Sequence, residues 1–211
     1  MSRGPHNPVE EIKFWRSAST GKELTQFLSH LPKLSKLELY RCENITQVAV
    51  GVDLQQKTAP VSLSISSDVT MDDTLAKEGQ QEIAEVEKEE ANTADDDGLL
   101  LLPAHLSNSL TALVISYGGV VVHSLNALQA LIALWLEDCS FRHPFPSSLL
   151  HLDLSSVKGV LTLSNLTSLT RLSISRCGED LRCEGLLPLL TRGHLSNLQV
   201  QRIPNFFGAC D

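Results

Sequence analysis

The most enzyme-like residues in the chain are His151, Asp153 and Ser155, which alternate along a short stretch of sequence. A histidine, a carboxylate and a hydroxyl form a hydrolytic triad only when they lie about 2.6–3.2 Å apart. The alternation predicts a β-strand that carries all three side chains on one face, roughly 6.5–7 Å apart in succession. We therefore interpret them as part of an exposed polar face and predict that the chain is not an enzyme.

Metal binding by cysteines is the second chemistry to consider. Cys42, Cys139 and Cys177 each follow an alternating apolar stretch at the same spacing. A zinc site needs four ligands that converge on one point, whereas equivalent positions of stacked units lie side by side. The sequence also begins without an apolar leader, which favours free thiols over disulfides. We predict buried free cysteines, no metal and no cofactor.

The segment from Ser17 to Glu23 faintly resembles a phosphate-binding loop because Gly21 is followed by Lys22. Arg16 stands where the first glycine of that motif belongs, and Glu23 stands where serine or threonine is required. No ATP binding is therefore predicted. Thr20 and Glu23 have capping-box spacing instead, and they predict a short helix from Gly21 to His30.

A recurring leucine pattern must position all of these residues. Leu134 and Leu136 alternate with Trp135, which predicts a strand from Ala133 to Glu137 with the tryptophan on the opposite face. Counted from Leu113, the equivalent positions follow at steps of 21, 18, 20 and 26 residues: Leu134, Leu152, Leu172 and Leu198. This spacing is the leucine-rich-repeat period. In the unit of Leu113, Gly118 stands at the cysteine position.

Repeats of this kind bury their leucines only against neighbouring repeats. The sequence therefore predicts an α/β repeat fold, a leucine-rich-repeat solenoid with a curved parallel β-sheet on the concave face and irregular loops and short helices on the convex face. We expect the following organisation: an N-terminal segment with the short helix (1–30), first repeats with a further strand at Val61–Ile65 (31–67), an acidic insertion (68–98), further repeats (99–207) and a tail (208–211).

Charge is concentrated in the acidic insertion. Twelve acidic residues but only two lysines lie from Asp68 to Asp97. With so few apolar residues, this segment is expected to be disordered or partly helical, either as a solvated loop or as a partner-binding or autoinhibitory segment. The net charge of −8 argues against nucleic acid and membrane surfaces as partners. No apolar run is long enough to span a membrane, so a cytoplasmic location is predicted, with the nucleus as the alternative.

The cysteine after the strand, in Glu38–Cys42, Trp135–Cys139 and Ser173–Cys177, and the prolines before the leucines of Pro103–Leu110 and Pro146–Leu149 resemble one known family. They are similar to the repeats of plant intracellular immune receptors of the nucleotide-binding leucine-rich-repeat class, especially those of grasses. The resemblance covers about residues 28–45 and 99–207. The nucleotide-binding module of such receptors has no counterpart here, so the chain is expected to be a fragment, a truncated form or a repeat-only relative.

That resemblance implies a non-catalytic protein-interaction module of the defense response, which recognises a ligand or keeps a receptor inactive. The implied partner is a protein: an effector, a host target or the receptor's own upstream domains. The alternative is a substrate adaptor of the F-box type or an orphan repeat scaffold. An F-box-like helical module would need more chain than residues 1–30.

The concave face is the predicted binding site, because its side chains alternate with the buried leucines. Trp135 is the strongest candidate, since tryptophan is enriched among the residues that dominate protein interfaces. Alternatively, Trp135 packs on Tyr117 or on another neighbouring side chain. The predicted binding residues are Glu38, Tyr40, Arg41, Tyr117, Trp135, Glu137, Asp138, Asp153, Arg171 and Arg176.

Overall fold

The computed structural model describes residues 8–51, 97–159, 162–177, 186–191 and 194–203. The predicted strand at Val61–Ile65, the acidic insertion up to residue 96 and the tail at 208–211 lie outside these residues. No helix within the described ranges has the length and apolar character needed to cross a membrane.

The described residues form nine strands, two α-helices and a 3-10 helix at Ala104–Asn108. The α-helices are α1 (Gly21–Leu28) and α2 (Leu187–Thr191). The strands are β1 (Glu11–Trp15), β2 (Lys36–Tyr40), β3 (Gln47–Val50), β4 (Leu99–Leu102), β5 (Ala112–Val122), β6 (Ala133–Phe141), β7 (His151–Ser155), β8 (Arg171–Ser175) and β9 (Asn197–Gln201).

All the described strand pairs are parallel, and the main path of the sheet runs β1-β2-β5-β6-β7-β8-β9. Equivalent leucines lie opposite one another, so that Leu37 faces Leu113 and Leu113 faces Leu134. The sheet is open, since β1 and β9 each have one neighbour on this path. The mostly parallel sheet with few helices confirms the α/β-like part of the predicted fold.

The core lies under the second and fourth positions of the strands. Leu37, Leu39, Leu134 and Leu136 are at most 1% exposed, as the alternation predicts. Each such side chain contributes about 1.5–3 kcal/mol when it is withdrawn from water. The repeated cysteines are buried beside these leucines, and burial raises the pKa of the Cys139 thiol to about 12. The prediction of buried, free cysteines is confirmed for Cys42, Cys139 and Cys177.

Helix α1 begins where the sequence predicts. The Thr20 hydroxyl accepts from the Glu23 N–H at 3.2 Å, and the Glu23 carboxylate accepts from the Thr20 N–H at 2.9 Å, which completes the capping box. The helix ends at Leu28, two residues before the predicted His30. A Cβ on Gly21 would lie 2.3 Å from the carbonyl carbon of Leu99, so close packing on β4 accounts for this glycine without any phosphate site.

The N-terminal segment (1–30) also contributes a strand to the sheet, which we did not predict from the sequence. Strand β1 lies within this segment and pairs with β2, placing Ile12 opposite Leu37 and Phe14 opposite Leu39. Its inward positions hold isoleucine and phenylalanine instead of leucine, and no cysteine follows at the repeat spacing. The period-two alternation of β1 was the remaining signal for a strand.

Strands β5 and β6 continue past the main sheet, where they still pair with each other; the end of β5 also pairs with β3, which in turn pairs with β4. The register of β5 against β6 shifts between Ser116 and Val120, where β5 holds two more residues than β6. Val120, and not Gly118, therefore lies opposite Cys139, which corrects the predicted alignment of this repeat. The shift bends both strands onto a second surface of the molecule.

Candidate functional site

The first, third and fifth positions of the main-path strands share one surface, here called the open face. Neighbouring strands lie about 4.8 Å apart, so the residues in each row are close lateral neighbours. The first row is Glu11, Lys36, Ala112, Ala133, His151, Arg171 and Asn197. The middle row is Lys13, Glu38, Val114, Trp135, Asp153, Ser173 and Gln199. The last row is Trp15, Tyr40, Ser116, Glu137, Ser155, Ser175 and Gln201.

A groove crosses the open face above β5. This strand presents only small side chains in its three rows, namely Ala112, Val114 and Ser116, while larger ones stand on the strands at either side. The resulting cavity has a volume of about 400 Å³. Its lining residues are Lys36, Glu38, Tyr40, Val114, Ile115, Ser116, Trp135, Leu136, Glu137, Asp153 and Ser155.

The wall of the groove on β2 combines positive charge with one carboxylate. The Lys36 ammonium lies 2.9 Å from Glu38 Oε1, and the Lys13 ammonium of β1 lies 3.1 Å from Glu38 Oε2. The hydrogen bond from Lys36 holds the pKa of Glu38 below its ordinary value, with Lys13 acting in the same direction and partial burial opposing both. Glu38 is therefore an ionised carboxylate paired with two lysines. Lys36 also lies 4.0 Å from Glu11 Oε2, so two lysines face two carboxylates here and the β2 wall is charge-paired.

Two aromatic rings extend this wall toward the edge of the sheet. Trp15 stacks on Tyr40 with their ring centroids 5.2 Å apart, and the Lys13 ammonium lies 4.5 Å from the Tyr40 centroid. Trp15 is 59% exposed and does not line the groove. Sequence reasoning missed Trp15 and Lys13 as members of the face because it missed β1.

The opposite wall of the groove is apolar and acidic. Trp135 projects from β6 with 37% of its surface exposed, and Glu137 accepts a hydrogen bond from the Ser116 hydroxyl at 2.5 Å. Behind them on β7, burial raises the pKa of Asp153 and the nearby Glu137 charge raises it further, while Ser173 acts in the opposite direction. This wall carries negative charge that no lysine or arginine pairs with in the described contacts.

Tyr117 does not belong to the open face, and its prediction as a surface residue is wrong. It is 7% exposed and lies in the hydrophobic core, because β5 continues as a strand and Tyr117 follows Leu113 and Ile115 at the period of two that directs all three inward. Its hydroxyl has no hydrogen-bond partner among the described residues, and burial raises its pKa. The row neighbours of Trp135 are Val114 and Asp153, so the register does not support packing of Trp135 on Tyr117.

Arg41, Asp138 and Arg176 lie at the rim of the open face, directly after its last row. Each has a positive φ, between 49° and 54°, a conformation that costs about 1–2 kcal/mol in a residue with a Cβ. The Arg41 N–H donates to Ser116 O at 3.1 Å, and the Arg176 N–H donates to Gln201 O at 3.1 Å. These hydrogen bonds extend the parallel strand pairing by one residue, at the point where the chain turns toward the core. The same conformation recurs at Arg16, Ser156 and Arg202.

His151, Asp153 and Ser155 occupy the first, third and fifth positions of β7, as the alternation predicts. The Nδ1 atom of His151 has no hydrogen-bond partner among the described residues, so no contact joins it to Asp153. Arg171, the remaining predicted residue, is exposed in the first row beside His151. No group of three or more potential ligands within the described ranges is placed to hold a metal ion.

The structure thus brings Glu38, Tyr40, Trp135, Glu137 and Asp153 to one groove and leaves the predicted arginines outside it. The groove thus combines two aromatic rings with a charge-paired wall on β2 and an acidic wall on β6 and β7. Comparison of the sequence and fold with protein families, with curated proteins and with solved structures found no match.

Proposed function

We propose that the chain is a leucine-rich-repeat module that binds a protein partner through the groove above β5. The observation that carries this proposal is the exposed Trp135 beside a floor of small side chains. A tryptophan on the outward side of a strand contributes little to its own core, and large aromatic anchors beside a pocket dominate many protein interfaces.

The two walls indicate how a partner would be oriented. The β2 wall carries Lys36 paired with Glu38, while the β6 and β7 wall carries Glu137 and Asp153 without a cationic partner in the described contacts. A segment with an apolar side chain would place that side chain on Trp135 and Val114. Its basic end would face Glu137 and its neutral end would face the charge-paired β2 wall, which fixes the direction of binding.

The leucine-rich-repeat solenoid belongs to the same proposal. The parallel strands recur at the spacing of the leucine pattern, and their equivalent leucines stack in register. The resemblance of the strand-and-cysteine units to plant immune receptors supports a defense-related recognition or autoinhibitory role in the cytoplasm. The partner would then be an effector, a host protein or the receptor's upstream domains.

The decisive experiment compares two exposed tryptophans. The wild type, Trp135→Ala and Trp15→Ala would be titrated against the partner recovered with the wild-type chain, with the receptor's upstream domains as the first candidate. Loss of a central aromatic anchor costs about 2 kcal/mol or more, so we expect at least a tenfold loss of affinity for Trp135→Ala. Trp15→Ala is the matched control and should bind within about threefold of wild type, since a flanking contact is worth little.

Circular dichroism and a urea titration would establish that both variants fold. Unchanged binding by folded Trp135→Ala would remove the groove from the proposal. Equal losses in both variants would move the site toward the β1 edge. Glu137→Ala adds a second check, because it should weaken a partner with a basic end while leaving a partner without one unaffected.

A further inference from the structure

A second cavity lies on the surface where β5 and β6 continue past the register shift. Its volume is about 380 Å³, and it is lined by Val121, Val122, His123, Ser140, Arg142 and His143. None of these residues lines the groove of the open face. Val121 of β5 pairs with Ser140 of β6, so the cavity lies on the part of these two strands that follows the register shift. We call it the flank cavity.

The flank cavity gathers positive charge in a chain whose net charge is −8. Its lining holds one guanidinium and two imidazoles and no carboxylate. The Lys158 carbonyl accepts from the Phe141 N–H at 2.9 Å, which fixes the backbone of β6 next to the cavity. The lining thus offers one permanent cation, two imidazoles and a hydroxyl, with no carboxylate to oppose an anion.

The two histidines are held close to each other. The ring centroids of His123 and His143 are 6.2 Å apart. His123 Nε2 lies 2.9 Å from Gln47 Oε1 of β3, so a hydrogen bond holds this ring against that strand. The His143 ring also lies 6.2 Å from the ring of buried Phe141, which anchors it from below. A packed neighbour and a hydrogen bond limit the freedom of these rings.

We propose that the flank cavity binds a phosphate monoester carried on a compact apolar or aromatic body. Arg142 offers a planar fork of N–H donors that matches two phosphate oxygens, and His143 supplies a further donor for the third. Val121 is 42% exposed and Val122 also lines the cavity, so an apolar surface is available for the body of the ligand. A metal ion is disfavoured, because two imidazoles are too few for a closed site and Arg142 repels a cation.

Phenyl phosphate is the probe of choice, with inorganic phosphate, phenol and benzoate as comparison ligands. Calorimetry would measure affinity for the whole chain, and the imidazole C–H signals of His123 and His143 would be followed by NMR. We expect phenyl phosphate to bind at least tenfold more tightly than inorganic phosphate or phenol, and to shift both histidine signals. A phosphotyrosine peptide and free nucleoside monophosphates would then distinguish a protein-borne phosphate from a small metabolite.

Arg142→Gln is the test variant, and Arg176→Gln, which removes an exposed arginine elsewhere, is its matched control. We expect Arg142→Gln to lose at least tenfold in affinity for phenyl phosphate, and the control to remain within twofold. Equal losses in both variants would mean non-specific attraction and would overturn the proposal, as would histidine signals that respond to Zn²⁺ but not to phenyl phosphate. Trp135→Ala should leave this binding intact, so failure at the groove and failure at the flank cavity are distinguishable.

Discussion

Glu38 and Asp153 occupy the same middle row of the open face, three strands apart, yet their surroundings act on them in opposite directions. The pKa of Glu38 is lowered by its hydrogen bond to Lys36, whereas the pKa of Asp153 is raised by burial and by the neighbouring Glu137. Both strands present the same alternation of leucines and polar residues. In the half of the open face formed by β1 and β2, the Glu38 carboxylate is ion-paired with lysines. In the half formed by β6 and β7, Glu137 and Asp153 have no ion-pair partner in the described contacts.

The difference shows that a repeat of the sequence fixes the position of a side chain but not its electrostatic state. The row position follows from the leucines on the same strand, which point inward at the second and fourth positions. The charge state follows from side chains on adjacent strands, which are distant in sequence. Lys13, for example, approaches Glu38 only because β1 pairs with β2. An unpaired carboxylate beside an exposed tryptophan is available to a partner, and a paired one is not.

The largest predicted effect tests whether the two halves share one core. Leu39 and Leu154 hold the fourth position of β2 and β7 and are fully buried. Truncation of a buried leucine to alanine costs about 2–5 kcal/mol. We expect Leu39→Ala and Leu154→Ala each to lose stability in this range while urea unfolding keeps a single transition. A second transition in either variant would show that the charge-paired and unpaired halves unfold independently.

The second-largest predicted effect on stability concerns Tyr117, which lies on β5 between the two halves of the open face. Its buried hydroxyl has no partner among the described residues, so it bears a desolvation cost that phenylalanine would not. We expect Tyr117→Phe to raise the free energy of unfolding by roughly 1 kcal/mol. Urea titration measures this, with Tyr40→Phe as the control at a half-buried ring on the open face. A loss of stability in Tyr117→Phe would mean that the hydroxyl is hydrogen-bonded.

The sequence predicted the inward leucines, the buried cysteines and the start of α1, because each depends on residues close together in the chain. It placed Trp135, Glu137 and Asp153 on one face for the same reason. It placed Tyr117 outward by ending the strand too early, whereas β5 continues and Tyr117 alternates inward with Leu113 and Ile115. It could not predict the register shift between β5 and β6, which depends on how the two strands pair. Nor could it predict the groove, whose depth depends on the small residues of β5 lying between larger side chains of β2 and β6.

Removing the charge of Glu38 tests the paired half directly. Glu38→Gln removes the carboxylate shared by Lys13 and Lys36, but Lys36 keeps Glu11 at 4.0 Å and both lysines are at least 36% exposed, so the cost is limited. We expect a loss of about 0.5–1 kcal/mol at pH 7. Because the pKa of Glu38 is lowered on folding, this stabilisation is present above its ordinary pKa and disappears as the pH falls. Glu137→Gln is the control, and an equal loss there would contradict the comparison.

Asp153→Asn should raise the free energy of unfolding, whereas Glu38→Gln lowers it. A carboxylate whose pKa is raised on folding destabilises the native chain when it is ionised. The native chain holds the Asp153 proton more tightly than the unfolded chain, so the stability of the wild type falls as pH rises from about 3.9, the ordinary aspartate pKa, through the raised native value. We expect Asp153→Asn to gain about 0.5 kcal/mol at pH 7 and to lose this advantage below about pH 4. Urea titrations of both proteins across this range would measure it. A loss of stability in Asp153→Asn at pH 7 would mean that Ser173 outweighs burial, and that both carboxylates of the row are stabilised as anions.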